Sequence, residues 1–165
     1  MDIYLIRHGD ALALGERGIT TDDERPLSER GEGQSRAAGA VLLRHGIKLD
    51  KVITSPLVRA RQTAEQMLHS WPAPVPEIHV CADLAPDGKP KQLARFLRGL
   101  GTDSVALVGH QPHLGIWTAW IIGGKNANID LAKAGIAHVT CDKPRKGLGI
   151  LHWMVDPEWF GDGGK

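Results

Sequence analysis

Cysteine, phenylalanine, tyrosine and net charge are all scarce in these 165 residues. The two cysteines, Cys81 and Cys141, are too few for a disulfide framework and too far apart for a C-x-x-C metal or redox motif. Lys plus Arg (20) almost cancels Asp plus Glu (19), leaving a formal net charge of +1. That balance argues against a surface built for nucleic acid or an anionic membrane, so any anion site has to be a local cluster of cations. No stretch approaches the roughly 20 apolar residues of a membrane span. The first apolar run, from Ile3 to Ile6, is broken at once by Arg7 and His8, unlike a secretory leader. A soluble, cytoplasmic protein is expected, monomeric, with no nucleic-acid or membrane partner. A chain of about 150 residues buries roughly 70% of its unfolded surface without staples. One domain over residues 1–160 with a loose tail at 161–165 is the expected division.

Short apolar runs alternate with helical periodicity, which predicts an α/β fold. Residues 2–6, 51–54 and 104–108 read as buried strands, and residues 78–80, in a proline-dense connection, as a short edge strand. Ser28 is a plausible N-cap for a helix running to about residue 44. Ser55 and Pro56 read as N-cap and first-turn proline of a second helix, whose apolar stripe (Leu57, Ala60, Ala64, Met67, Leu68) leaves Arg59 and Arg61 to one side. Helices are also expected from Pro90 and from Pro112, and a terminal hairpin from residues 136–141 and 148–155. The long polar segment between Asp10 and Pro26 has the length of a functional loop.

Open α/β sheets bind ligands at the carboxyl ends of their strands. Here the three strongest strands end in Arg7-His8-Gly9, in Ser55-Pro56 leading to Arg59, and in Gly109-His110. If they are parallel neighbours, two arginines and two histidines converge. Arginine matches phosphoryl oxygens with a planar fork, and helix N-termini add free N–H groups. A neutral imidazole adds a nucleophile able to form a covalent phosphoryl intermediate.

These motifs resemble the histidine phosphatase (phosphoglycerate-mutase-like) superfamily. Ile6-Arg7-His8-Gly9 is similar to its N-terminal signature, and Arg25-Pro26-Leu27-Ser28-Glu29-Arg30-Gly31 to its helix start. Ser55-Pro56-Leu57-Val58-Arg59-Ala60-Arg61-Gln62-Thr63 is similar to its second-arginine motif, and Val108-Gly109-His110 to its second-histidine motif. The short chain, Asp10 and Arg25-Pro26-Leu27 look most like the phosphohistidine phosphatases within it. The resemblance implies a three-layer α/β/α fold with a largely parallel sheet and a C-terminal hairpin. It implies His8 as nucleophile, with Arg7, Arg59 and His110 around the phosphoryl group, and Gly9 and Arg25 as further substrate contacts. The general acid of larger members has its nearest counterpart in Asp83, with Asp10 as a second candidate. No cofactor is implied. The implied substrate is phosphohistidine on a signalling or phosphotransfer protein. The alternatives are a small phosphoester hydrolysed by the same chemistry, or a phosphate-binding module without catalysis.

His110 and His113 form an H-x-x-H pair with no third ligand at telling spacing, so no metal site is expected. Arg61 reads as a surface residue, His113 as a helix-start or pocket-rim residue, and His45, His69, His79, His138 and His152 as core-edge or surface residues. Trp117, Trp120 and Trp153 read as core or sheet-face residues. Gly31-x-Gly33 lacks the third glycine and the preceding strand of a dinucleotide fingerprint. Neither cysteine is followed six positions later by arginine, which removes the Cys-x5-Arg phosphatases.

Overall fold

The computed structural model describes residues 1–124 and 126–160; the tail expected at 161–165 lies outside them. Strand β1 (Asp2–Arg7) is followed by helix α1 (Glu29–Arg44), strand β2 (Lys51–Thr54) and helix α2 (Val58–Met67). Then come β3 (Glu77–Val80), α3 (Pro90–Arg98), β4 (Ser104–Gly109), α4 (His113–Ile121) and the hairpin β5 (Ile136–Thr140) and β6 (Ile150–Val155). The strands form one mixed sheet in the order β3-β2-β4-β1-β5-β6. The first four of these are mutually parallel, and β5 and β6 are antiparallel to their neighbours.

Alternation along the central strands sends side chains into two cores. Ile3, Leu5, Ile53, Val105 and Leu107 pack with Leu93 and Leu97 of α3 and Leu114 and Trp117 of α4. Tyr4, Ile6, Val52, Ala106 and Val108 face the other way onto Ala38, Val41 and Leu42 of α1 and Ala60, Ala64 and Met67 of α2. Strands covered on both faces read as continuous apolar runs, which is why β1, β2 and β4 were legible from the sequence. The expected three-layer α/β/α architecture and the terminal hairpin are both present.

Ser28 caps α1, its Oγ accepting the Gly31 N–H at 3.1 Å. The second helix departs from expectation. It begins at Val58 with Leu57 as N-cap, and Ser55 and Pro56 precede it. Ser55 is held back because its N–H still donates to Val108 O at 2.9 Å, continuing the strand ladder. Trp117 is fully buried and Trp120 packs against the same core, while Trp153 sits half-exposed on β6 beside Tyr4 and His138.

The start of α1 lies hard against the turn after β1. A Cβ on Gly9 would stand 2.5 Å from Gly31 O, and one on Gly31 would collide with Asp10 O. Gly33, one residue-pair further along α1, faces open space. Gly31→Ala should therefore destabilise the protein by about 1–3 kcal/mol through overpacking, whereas Gly33→Ala should be neutral or stabilising by up to about 1 kcal/mol. Urea unfolding of the two variants checks this; equal effects would contradict the close packing.

Candidate active site

Register places the site. Arg7 pairs with Gly109 across β1 and β4, and Thr54 with Val108 across β2 and β4, so the three strands end nearly level. The next residues are tied across the same edge: His8 N–H donates to Gly109 O at 3.0 Å and Ser55 N–H to Val108 O. The His8 and His110 rings consequently lie with centroids 5.0 Å apart. Arg59, in the first turn of α2, points in beside them, only 5% exposed, and its Nε donates to His8 Nε2 at 3.2 Å. Thr63, one turn on, donates to Arg59 O at 2.7 Å and accepts the Gly9 N–H at 3.1 Å, joining α2 to the His8 turn.

Hydrogen bonds assign the His8 tautomer. Gly9 O lies 2.7 Å from Nδ1 and can only accept, so Nδ1 carries the proton and Nε2 presents its lone pair. Burial lowers the His8 pKa to about 4, and the Arg59, Arg7 and Lys133 cations push the same way, so the ring is neutral at pH 7. His110 Nε2 lies 2.7 Å from Ser55 Oγ. Ser55 Oγ also accepts the Leu57 N–H at 3.4 Å. Burial lowers the His110 pKa to about 3, with His8 and Arg59 adding to the effect. Its Nδ1 and Arg7 Nε are buried with no hydrogen-bond partner among the described residues. Buried polar atoms without partners are uncommon, and these two lie at the same sheet edge as His8. Arg7 is anchored from its other end, NH1 donating to Leu131 O at 2.7 Å.

His8, Arg7, Arg59 and His110 are therefore brought together, as the spacing of the strand ends predicts. The other expected site residues are placed differently. Arg25 fastens the segment after β1: Nε donates to Leu12 O at 2.6 Å and NH1 to Asp22 Oδ1 at 2.9 Å. Gly9 has its N–H committed to Thr63, and its value lies in the close approach to α1 rather than in a free donor. Asp10 is clamped between Lys133 Nζ, 2.6 Å away, and Ser28 Oγ, also 2.6 Å, and these hydrogen bonds hold its carboxyl below the usual range. A carboxylate held ionised is a poor proton donor. Asp83 lies in a short turn after β3 (Ala82–Leu84), where its charge is felt by His113. His113 is buried at the start of α4 rather than at a pocket rim. Among the described residues, no three His, Cys, Asp or Glu side chains gather in a metal-holding group.

Four contributors escaped the sequence reading: Asp22, Lys133, Ser55 and Thr63. Asp22 grips Arg59 directly, accepting from NH2 at its Oδ2 (2.8 Å) and from NH1 at its backbone carbonyl (2.6 Å). Its only sequence signal is an acidic run, Asp22-Asp23-Glu24, beside Arg25. Lys133 carries no local signal at all, since it reaches the site from the connection before β5.

A neutral imidazole whose Nε2 lone pair faces the Arg59 Nε–H, two permanent guanidinium charges and the unpartnered Arg7 Nε–H at one sheet edge can bind an oxyanion and attack it. That layout agrees with the comparison with known proteins. The histidine phosphatase superfamily (branch 1) model matches residues 3–85, half of the chain, and the chain belongs to this family. The match includes Arg7, His8 and Arg59; His110 lies beyond it. Over 95% of its length the chain is 31% identical to the phosphohistidine phosphatase SixA of Escherichia coli (strain K12), covering 94% of that protein. It is also 36% identical to an uncharacterized protein of Picosynechococcus sp., covering 97% of this chain and 94% of the other. The solved structure of the protein histidine phosphatase SixA complexed with tungstate superposes with a TM-score of 0.82 at 28% identity, covering 95% of this chain and 97% of that one.

Burying His8 and His110 in neutral form links folding to pH. Both folded values lie below that of free histidine, about 6.5, so between about 4 and 6.5 the unfolded chain binds more protons than the folded one. Stability should accordingly fall as pH drops through that window. Urea midpoints at pH 7.5, 6 and 4.5 test this. A constant midpoint would show that these rings are not buried neutral, and His110→Asn should flatten the decline.

Proposed function

We propose that this chain is a phosphatase working through a phosphohistidine intermediate on His8, and that its substrate is phosphohistidine on a signalling or phosphotransfer protein. The observation that carries the reading is the His8 Nε2 lone pair, held by the Gly9 carbonyl and Arg59 beside the unpartnered nitrogens of Arg7 and His110.

In the first step Nε2 attacks phosphorus, the bond from phosphorus to the leaving nitrogen breaks, and that nitrogen departs with its electron pair. Arg7, Arg59 and His110 would hold the equatorial oxygens and offset the charge that gathers on them. Water then attacks the phosphorus of phospho-His8, the P–N bond breaks back to Nε2, and inorganic phosphate leaves. Two guanidiniums supply the positive charge that many phosphoryl-transfer enzymes draw from a divalent cation.

The choice of leaving group follows from the acids. An alkoxide needs a proton as it departs, and Asp10 is tied as a carboxylate to Lys133 and Ser28. Imidazole leaves far more readily, so a weakly defined acid favours a P–N substrate. The similarity to SixA proteins points the same way. Between α2 and β4 the chain holds only β3, a short turn and α3, which leaves out any large cap and suits a macromolecular substrate.

Mixing the protein with a labelled phosphohistidine-bearing domain and quenching in alkaline detergent should trap a base-stable, acid-labile label on the wild type and none on His8→Ala. Absence of both label and turnover would leave only a phosphate-binding module. Turnover of sugar phosphates in preference to the phosphorylated domain would instead assign a small phosphoester. Arg59→Ala should lose about 2–4 kcal/mol of transition-state stabilisation; an unchanged kcat/KM would remove Arg59 from its assigned role.

A further inference from the structure

Asp22 occupies both terminal nitrogens of Arg59. Its Oδ2 accepts from NH2 at 2.8 Å and its carbonyl from NH1 at 2.6 Å, while its Oδ1 accepts from Arg25 NH1 at 2.9 Å. One carboxylate thus bridges two guanidiniums, as two oxygens of a phosphoryl group would. The Asp22 side chain is half exposed, whereas Arg59 is buried. Between Ala13 and Glu24 no residue is buried, and one cross-contact to α2 is the Val58 N–H donating to Asp23 O at 3.2 Å. The segment is therefore lightly held. The Asp22 end of the pair is open to solvent, and a phosphoryl dianion offers Arg59 more charge and more oxygens than a single carboxylate.

Resting on the phosphatase reading above, we propose that Asp22 is an internal stand-in for the phosphoryl group. With the segment docked, its carboxylate competes with substrate for Arg59 and Arg25. Substrate entry displaces it, the 13–24 segment lifts, and both guanidiniums become available. Asp22 thereby sets the apparent affinity of the site and disfavours weak monoanions, which gain little over the carboxylate they must replace. The same exchange gives Arg25, otherwise occupied with the loop, a route to the phosphoryl group.

Calorimetric titration of inorganic phosphate into wild type, Asp22→Asn and Asp22→Ser tests the competition. Both variants should bind phosphate about tenfold tighter, because the fraction of sites open to it rises, and KM for a phosphorylated substrate should fall alongside. Trypsin cleavage after the exposed Arg17 gives an independent readout. Phosphate should accelerate it in the wild type, and Asp22→Asn should be cleaved rapidly without phosphate. Equal or weaker phosphate binding by the variants, with the wild type still binding, would overturn the stand-in alone. Phosphate that slowed wild-type cleavage would also overturn it, since the segment would then be closing over the ligand. Absence of phosphate binding in the folded wild type and in both folded variants would overturn the phosphatase reading and this inference together.

Discussion

Level carboxyl ends on three adjacent parallel strands are the constraint from which the site follows. Hydrogen bonds from His8 and Ser55 to the β4 backbone extend the ladder one residue past each strand, so His8, Ser55 and His110 emerge side by side. A shift of one strand by a single residue would turn these side chains to the opposite face. Two features then lock the His8 turn. Glycines at 9 and 31 let α1 approach its backbone, and Thr63 ties it to the first turns of α2. Arg59 is buried because that tie draws its end of the helix against His8, although long charged side chains are ordinarily solvated.

Burial then divides the chemistry between the two residue types. Guanidinium groups keep their charge at any accessible pH, while the same dry surroundings strip the proton from the imidazoles. A nucleophilic ring can therefore sit among cations without itself becoming one. The cations are in turn balanced by carboxylates from elsewhere in the chain: Asp22 on Arg59 and Arg25, Asp10 on Lys133, and Asp130 3.9 Å from Arg7. A near-neutral protein thus contains a strongly polarised pocket whose charges cancel only locally. Within the site, Arg7 Nε and His110 Nδ1 remain without partners after that cancellation.

Much of this was legible in the residues themselves. Uninterrupted apolar runs marked β1, β2 and β4 because both faces of those strands are covered, and Ser28 announced α1 because capping is a contact between residues three apart. His8 and His110 were marked by their place just after such runs. The start of α2 was misread because Ser55 has the chemistry of an N-cap, yet its backbone belongs to the strand ladder and its hydroxyl to His110. Arg25 and Asp10 had the residue types of a ligand contact and an acid. Their roles were altered by partners, Asp22 and Lys133, that no periodicity connects to them.

Alone, then, the order of residues determined the α/β class, the strands and helices, and a set of arginines and histidines whose chemistry suits a phosphoryl group. Those features depend on near neighbours and on alternating burial, which a linear pattern records. Only the tertiary structure decided which nitrogen of His8 bears the proton, which nitrogens of Arg7 and His110 are without partners, and that Asp22 holds the terminal nitrogens of Arg59. Each of these rests on contacts between distant segments, such as Arg59 with Asp22 and Lys133 with Asp10. Such contacts exist only once strand register and loop path have brought the segments within hydrogen-bonding distance.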